Sequence, residues 1–243
     1  VSLDGGRAVS AALQRNGIAH QVFDGAPGLF EAIRAGSVDR VLNLMHGPGG
    51  EDGAIQGALQ LMGVPVTGSD VLGSALSMDK VRAKWVLQRL EIPTPPFMVV
   101  EPGDDRPERA LEPFELPVFV KPTGLGSSIG ITRVSEAGQL AAAVQLARRY
   151  SSQAIVEPAI AGGEYFAGVL GETVLPLIRV ETPREFYDYE AKYHSEETRY
   201  HCPCGLDAEQ EAGFQSLAFQ AFQALHASGW GRVDFIVDAQ GKP

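Results

Sequence analysis

Pro117-Val118-Phe119-Val120-Lys121-Pro122-Thr123-Gly124-Leu125-Gly126-Ser127-Ser128-Ile129-Gly130 is the stretch that organises this chain. A short apolar run of β type delivers a lysine, and a proline then stops the strand. Two glycines and two serines follow before a β-branched residue returns at Ile129. Such a loop offers backbone N–H groups and hydroxyls beside a fixed cation, which suits a phosphate chain. No lysine follows the last glycine, so this is not a Walker A loop. Gly124, Gly126 and Gly130 are spaced one residue too wide for a dinucleotide fingerprint. Read alone, the stretch fits equally a β-hairpin with a glycine-rich turn and a chance lysine.

The 243 residues provide ample core for one large domain or two to three small ones. An apolar content of 44%, with strand-like and helix-like segments alternating, points to a soluble α/β protein. No apolar run is long enough to cross a bilayer, and the opening residues carry no signal-peptide pattern. The net charge of −10 argues against general binding to nucleic acid or an acidic membrane. Any anion site must therefore be a local cluster of Lys and Arg. Cys202 and Cys204 are separated by a single proline, which fits neither a CxxC redox pair nor a four-ligand zinc site. They read as reduced thiols of a cytoplasmic protein.

Taken in order, the chain opens on an expected helix with Leu3, Val9 and Leu13 on one face, stopped at Asn16-Gly17. Strands are expected at Ala19–Phe23 and Arg40–Met45, with a helix at Leu29–Ala35 between them. An α/β unit normally starts on a strand, so a first strand is expected upstream of Val1. His46-Gly47-Pro48-Gly49-Gly50-Glu51-Asp52-Gly53 then leads into a helix from Ala54 to Met62. This loop lies at the carboxyl end of a parallel strand, where open α/β sheets bind ligands. His46 could orient a substrate carboxylate or simply bond within its own turn, and Glu51 and Asp52 could cap the next helix.

Two helices are expected at Val71–Met78 and Asp79–Leu90, the second with Val81, Trp85 and Leu90 inward and Lys80, Arg82 and Lys84 solvated. A helix from Glu136 to Tyr150 and a strand at Gln153–Glu157 follow. Glu157 and Glu164 flank a turn through Gly162-Gly163. They could bind hydroxyls or an amino group, serve as a glycosidase acid and base, or form structural ion pairs. Strands are expected at Tyr165–Leu170 and Val174–Val180, and Ser195–Gly205 reads as a polar loop. Tyr187 to His194 combines three tyrosines with Lys192 and acids, the pattern of a loop that closes over a site. Asp207 to Gln210 resembles a capping box opening a helix that runs to Ser228. In the last strand, Arg232–Asp238, Arg232 and Asp234 share a face by alternation.

Read together, His46–Gly53, Ser74–Lys80, Val120–Gly130, Glu157–Glu164, Tyr187–Tyr193 and Gly229–Asp234 resemble the D-alanine–D-alanine ligases of the ATP-grasp superfamily. The resemblance covers nearly the whole chain, and six segments in the family's order make it specific. It implies an α/β (α+β mixed) fold with ATP held between two β-sheets. Three domains are expected: a Rossmann-like substrate domain at 1–68, a central ATP-grasp domain at 69–157 and a C-terminal one at 158–243. By motif, Lys80 and Lys121 resemble the lysines that hold the ATP phosphates. Ser127 and Ser128 resemble the loop covering the β- and γ-phosphates, Glu157 the acceptor of the adenine amino group and Glu164 the ribose ligand. Lys192 resembles the lysine that reaches the γ-phosphate, and Tyr193 would hydrogen-bond Ser127 near the substrates. Arg232 resembles the arginine that stabilises the oxyanion, and Asp234 a ligand of magnesium, with manganese as a substitute. Cations and metal are needed because phosphoryl transfer to a carboxylate brings anions together.

The resemblance implies ADP-forming ligation of two D-alanine molecules through a D-alanyl phosphate, for peptidoglycan precursor synthesis and cell shape. A cytoplasmic homodimer without nucleic-acid or membrane partners is what the family suggests. A D-alanyl-D-lactate ligase and a non-catalytic ATP-binding module are the rivals, and the Lys192-Tyr193 pair resembles the dipeptide-forming type. The family's substrate-orienting glutamate before the start and its Glu-x-Asn metal pair after Gly241 have no counterpart in these residues. The chain is accordingly expected to lack its first strand and C-terminal end, to bind ATP weakly and to need both ends for ligation.

Overall fold

The computed structural model describes residues 2–182 and 197–243. The N-terminal part comprises helices α1 (Ser2–Arg15), α2 (Ala26–Arg34) and α3 (Ala54–Leu61) and extended segments. Leu29, Ile55 and Leu59 form its core, with Phe23, Ile33, Val41, Met45 and Val66 against them. The expected strand at Arg40–Met45 is reduced to one parallel bridge, Val41 to Val66, in which the Val41 N–H donates to Pro65 O and its carbonyl accepts from Thr67 N–H. Ala19–Phe23 is not a strand. Both segments have strand-type side chains, but a ladder needs a neighbour in register, and one bridge is all that forms.

Two capped helices follow. The Asp70 carboxylate accepts from Gly73 N–H at the start of α4 (Val71–Met78), and Asp79 accepts from Arg82 N–H at the start of α5 (Lys80–Arg89). Val81 is buried as expected, but α5 is rotated from the predicted setting. Lys84 is buried, and Trp85 and Leu90 are exposed. Spacing explains this: position 84 lies three residues beyond Val81, on the same side of the helix.

The first sheet comprises β1 (Met98–Val100), β2 (Val118–Pro122), β3 (Thr132–Val134) and β4 (Ala154–Pro158), all antiparallel in the order β1-β4-β2-β3. Val118 and Val120 on β2 and Ala154 and Val156 on β4 point to one face. Helix α6 (Leu140–Ala147) covers that face with Leu140, Ala143, Val144 and Ala147. The helix predicted from Glu136 opens as a short 3-10 turn, where Glu136 and Gln139 form a capping box. Phe119 and Lys121 belong to the opposite face of β2, because side chains alternate.

The second sheet is centred on β5 (Gly163–Leu170), flanked by β6 (Thr173–Val174) and β7 (Ile178–Glu181), with β8 (Arg199–His201) outside β7. Val174–Val180 was expected as one strand, but Pro176, which has no N–H, interrupts it, and the Leu177 N–H turns aside to the Glu211 carboxylate. β8 lies within the stretch expected as a loop, and its Arg-Tyr-His composition gives no apolar signal. Helix α7 (Ala208–Ala224), capped by Asp207, covers one face, where Phe214 stacks on Phe235 at 5.6 Å and meets Tyr165 edge-on at 6.3 Å. The last strand, β9 (Trp230–Val237), pairs with β5 along its length, from Gly163–Val237 to Leu170–Trp230.

Residues 68–73 meet 226–230 along a seam of main-chain and side-chain contacts. Ser228 N–H donates to Ser69 Oγ at 3.1 Å, and His226 Nε2 lies 3.4 Å from Asp70 Oδ2. A Cβ on Gly73 would lie 2.3 Å from His226 O, and one on Gly229 would lie 3.1 Å from Gly68 N. Among the described residues no helix is long and apolar enough to cross a membrane.

Candidate functional site

The chemistry collects on the sheet faces not covered by α6 and α7. At the end of β2, Lys121 Nζ donates to Glu157 Oε2 at 2.5 Å, and from α5 Lys84 Nζ donates to Glu157 Oε1 at 2.7 Å. Lys84 also donates to Thr94 Oγ1 at 2.7 Å and lies 5.2 Å from the Phe97 ring centroid. Burial acts to raise the Glu157 pKa, but the charges of Lys121 and Lys84, with their hydrogen bonds, outweigh it and hold the carboxyl below its ordinary range. Burial draws the Lys84 ammonium below the usual lysine value against the attraction of Glu157. The cluster thus holds two cations against one anion.

The glycine-serine loop leaves β2 directly beside this cluster. Thr123 Oγ1 and Gly124 N–H both bond Ser151 Oγ, at 2.8 and 3.1 Å, which anchors the loop's first residues. Lys80 Nζ donates to Leu125 O, and its N–H donates to Thr123 O at 2.9 Å. Ser127 and Ser128 both adopt left-handed backbone, with φ of 54° and 57°. That conformation costs an L-residue about 1–2 kcal/mol, and strain of this kind concentrates at ligand clamps.

On the open face of the second sheet, Glu164 stands opposite Ile236 and Val180, and Phe166 opposite Asp234. The expected common face of Arg232 and Asp234 is borne out directly: Arg232 Nε and Nη2 donate to the two Asp234 oxygens at 2.7 and 3.0 Å. The guanidinium lies 4.1 Å from the Phe166 ring centroid. Only residues 159–162 separate β4 from β5, so Glu157 and Glu164 stand at adjoining ends of the two sheets.

His46 is exposed at the head of its loop. The capping reading of its acidic neighbours holds for Asp52, which reaches Ala54 N–H at the start of α3, but not for Glu51, which closes the loop instead. Glu51 accepts from Gly47 N–H at 2.5 Å, and Asp52 accepts from Gly49 and Ala54 N–H at 2.8 and 3.0 Å. The Gly49 bond, helped by that of Ala54, keeps the Asp52 carboxyl below its ordinary range against partial burial. Asn43 and buried Gln56 both donate to Gly50 O, closing the loop from beneath. Lys192 and Tyr193 lie outside the described residues. Sequence reasoning missed Lys84, Thr94, Phe97, Ser151 and Phe166. Of these, Lys84 alone carried a signal, its three-residue spacing from Val81.

Two family models match the chain: "D-ala D-ala ligase N-terminus" over residues 11–69 and "D-ala D-ala ligase C-terminus" over residues 86–243. The chain belongs to the D-alanine–D-alanine ligase family. A D-alanine–D-alanine ligase of Methylococcus capsulatus is 47% identical over 243 residues, covering 100% of this chain and 78% of its own length. The crystal structure of the Bacillus anthracis D-alanine–D-alanine ligase superposes with a TM-score of 0.86 at 30% identity, over 100% of this chain and 79% of that one. The VanG D-Ala:D-Ser ligase of Enterococcus faecalis gives a TM-score of 0.75 at 37% identity, over 84% of this chain and 61% of that one. The ATP-grasp ligase fold expected from the resemblance is therefore the fold of this chain, and it is a ligase that uses ATP.

Proposed function

We propose that the protein joins two D-alanine molecules into D-alanyl-D-alanine with release of ADP and phosphate. The observation that carries this reading is the gathering of Lys80, Lys121 and the glycine-serine loop at one end of the first sheet, within a chain of this family. Two ammonium groups and a loop rich in N–H donors fit a polyphosphate, and the Glu157 carboxylate fits the amino group of a base. ATP supplies the phosphoryl group that turns one D-alanine carboxylate into an acyl phosphate. Lys80 and Lys121 neutralise phosphate oxygens, Ser127 and Ser128 cover them, Glu157 receives the adenine amino group and Glu164 the ribose hydroxyls. His46 orients a substrate carboxylate. Arg232 steadies the oxyanion formed when the second amine attacks the acyl carbon and phosphate leaves. Lys192 and Tyr193 complete the site.

Magnesium, or manganese in its place, is the accompanying ion we propose, with Asp234 as its candidate ligand. Among the described residues no group of three metal-binding side chains occurs. A single carboxylate fits this ion, which commonly keeps waters and takes one or two carboxylates plus phosphate oxygens. Both Asp234 oxygens accept from the Arg232 guanidinium, and each keeps a second lone pair that could face the ion. The division at 1–68, 69–157 and 158–243, a homodimer and a cytoplasmic location complete the proposal. The two free cysteines agree with a reducing compartment.

The test, run on the chain extended at both ends, is D-alanine-dependent release of ADP with the product identified by mass spectrometry, D-lactate and D-serine competing in parallel reactions. D-alanyl-D-alanine as the main product at neutral pH is the expected result. A dominant depsipeptide or D-alanyl-D-serine would overturn the choice of second substrate. ATP binding without D-alanine-dependent turnover would favour a non-catalytic module.

A further inference from the structure

Lys84 has no part in the roles assigned above, yet it is the more enclosed of the two cations on Glu157. Its side chain is 9% exposed and that of Lys121 is 23%, while Glu157 between them is 6% exposed. The two ammoniums also differ in their other contacts. Lys84 is fixed by Thr94 Oγ1 and lies against the face of Phe97, whereas Lys121 stands at the strand end that opens into the glycine-serine loop. The walled-in cation is thus an anchor, and the more open one is placed to change partners. Each holds its own oxygen of the carboxylate, Lys84 on Oε1 and Lys121 on Oε2, so loss of one contact does not require loss of the other.

We propose that Lys84 is a positioning residue for nucleotide selection: it stays on Glu157 Oε1 as a permanent counter-ion while Lys121 leaves Oε2 for the phosphates, so that Oε2 faces the base as an ionised acceptor. This rests on the ATP reading given above. The physical need is plain, because a buried carboxylate stripped of its last cation must either regain water or take up a proton. A protonated carboxyl would donate as well as accept and would no longer tell an amino group from a carbonyl. With Lys84 in place the carboxylate can only accept. A purine with an amino group at that edge is then bound, and one presenting a carbonyl oxygen is repelled. Among the described residues, the charged groups facing Glu157 are Lys84 from α5 and Lys121 from β2; Thr94 and Phe97, which also contact Lys84, carry no charge.

The experiment compares binding of ATP and of ITP, whose base has a carbonyl in place of the amino group, by calorimetry on the 243-residue chain. Lys84→Met is expected to weaken ATP roughly ten- to a hundredfold, the worth of one charge-assisted hydrogen bond, while ITP changes little, so the ATP preference collapses. In that variant Glu157 is held by Lys121 alone and its carboxyl moves toward protonation when Lys121 leaves. ATP affinity should therefore fall further as pH is lowered from about 8 to about 6, whereas the wild-type protein stays flat. Lys84→Arg, which keeps the charge, should restore most of the preference. Equal weakening of both nucleotides, or an unchanged ratio and pH profile in Lys84→Met, would overturn the role of Lys84. Wild-type protein that binds neither nucleotide would overturn the ATP reading and this inference together. Lysine nitrogen NMR on the wild-type protein removes any dependence on how a variant folds: on adding ATP the Lys121 Nζ resonance should move and that of Lys84 should hold. The reverse pattern would overturn the proposal.

Discussion

Glu157→Gln keeps the shape of the side chain and removes the charge that Lys84 and Lys121 share. The magnitude follows from enclosure, since the two ammoniums are 9% and 23% exposed and neither regains full hydration without moving. Removing one partner of a buried ion pair costs about 3–5 kcal/mol. Against the roughly 5–15 kcal/mol that holds a domain together, that is a large share. For a chain of this size it corresponds to a fall in Tm of roughly 6–20 °C. The pH dependence supplies a second signature. Glu157 has a depressed pKa in the folded protein, so its contribution is present above the unfolded-state value and lost as pH falls through the folded value. The glutamine variant lacks that acid limb. Its Lys84 has lost its counter-charge, so the folded pKa sinks further below the ordinary lysine value. The unfolded chain then binds more protons between those two values, and the variant's stability rises with pH across that interval. Urea unfolding followed by circular dichroism at several pH values measures both effects. The double variant Lys84→Met with Glu157→Gln should lose clearly less than the sum of the single losses, because the two groups are coupled. A glutamine variant within about 1 kcal/mol of wild type, or losses that simply add, would refute the reasoning.

Lys121→Ala is expected to weaken ATP binding by roughly ten- to a hundredfold with the fold retained, as measured by calorimetry and circular dichroism; unchanged affinity removes Lys121 from the site. Gly162→Ala should cost about 3 kcal/mol in urea unfolding, the upper part of the overpacking range, because its Cβ would lie 1.5 Å from Val237 O, whereas Gly126→Ala, with nothing within 4 Å, should be nearly neutral. Asp234→Asn frees one side of the Arg232 fork and is expected to lower magnesium-dependent turnover more than ATP affinity; equal losses in both would count against its place at the metal.

Local signals in the sequence were read correctly where one element decides its own form. Asp207 caps its helix from a position that a side-chain oxygen and a following apolar run identify. The alternation of Arg232 and Asp234 along their strand placed them together. What escaped depends on partners distant in sequence. Arg40–Met45 looks like a strand but finds one bridging residue, and β8 is a strand only because β7 lies beside it. Lys84 was read as solvated because lysine usually is; its burial requires Glu157, seventy-three positions away in the chain (157 − 84), to offset the charge. The link from Glu157 to Lys121 was likewise invisible until β2 and β4 were paired.

The seam between residues 68–73 and 226–230 has a consequence for how this chain can vary. Its tightest approaches involve Gly73, Gly229 and bare backbone atoms, so at those two points no side-chain identity on one side selects an identity on the other. Statistical coupling between columns of related sequences, which detects compensating pairs, can register Asp70 with His226 but nothing at the two glycines. A saturation library should show steep intolerance at Gly73 that no second-site exchange within 226–230 rescues, since the obstructing atom, the His226 carbonyl oxygen, belongs to every amino acid. Contact maps inferred from covariation alone would miss the glycine approaches, although the backbone closes them.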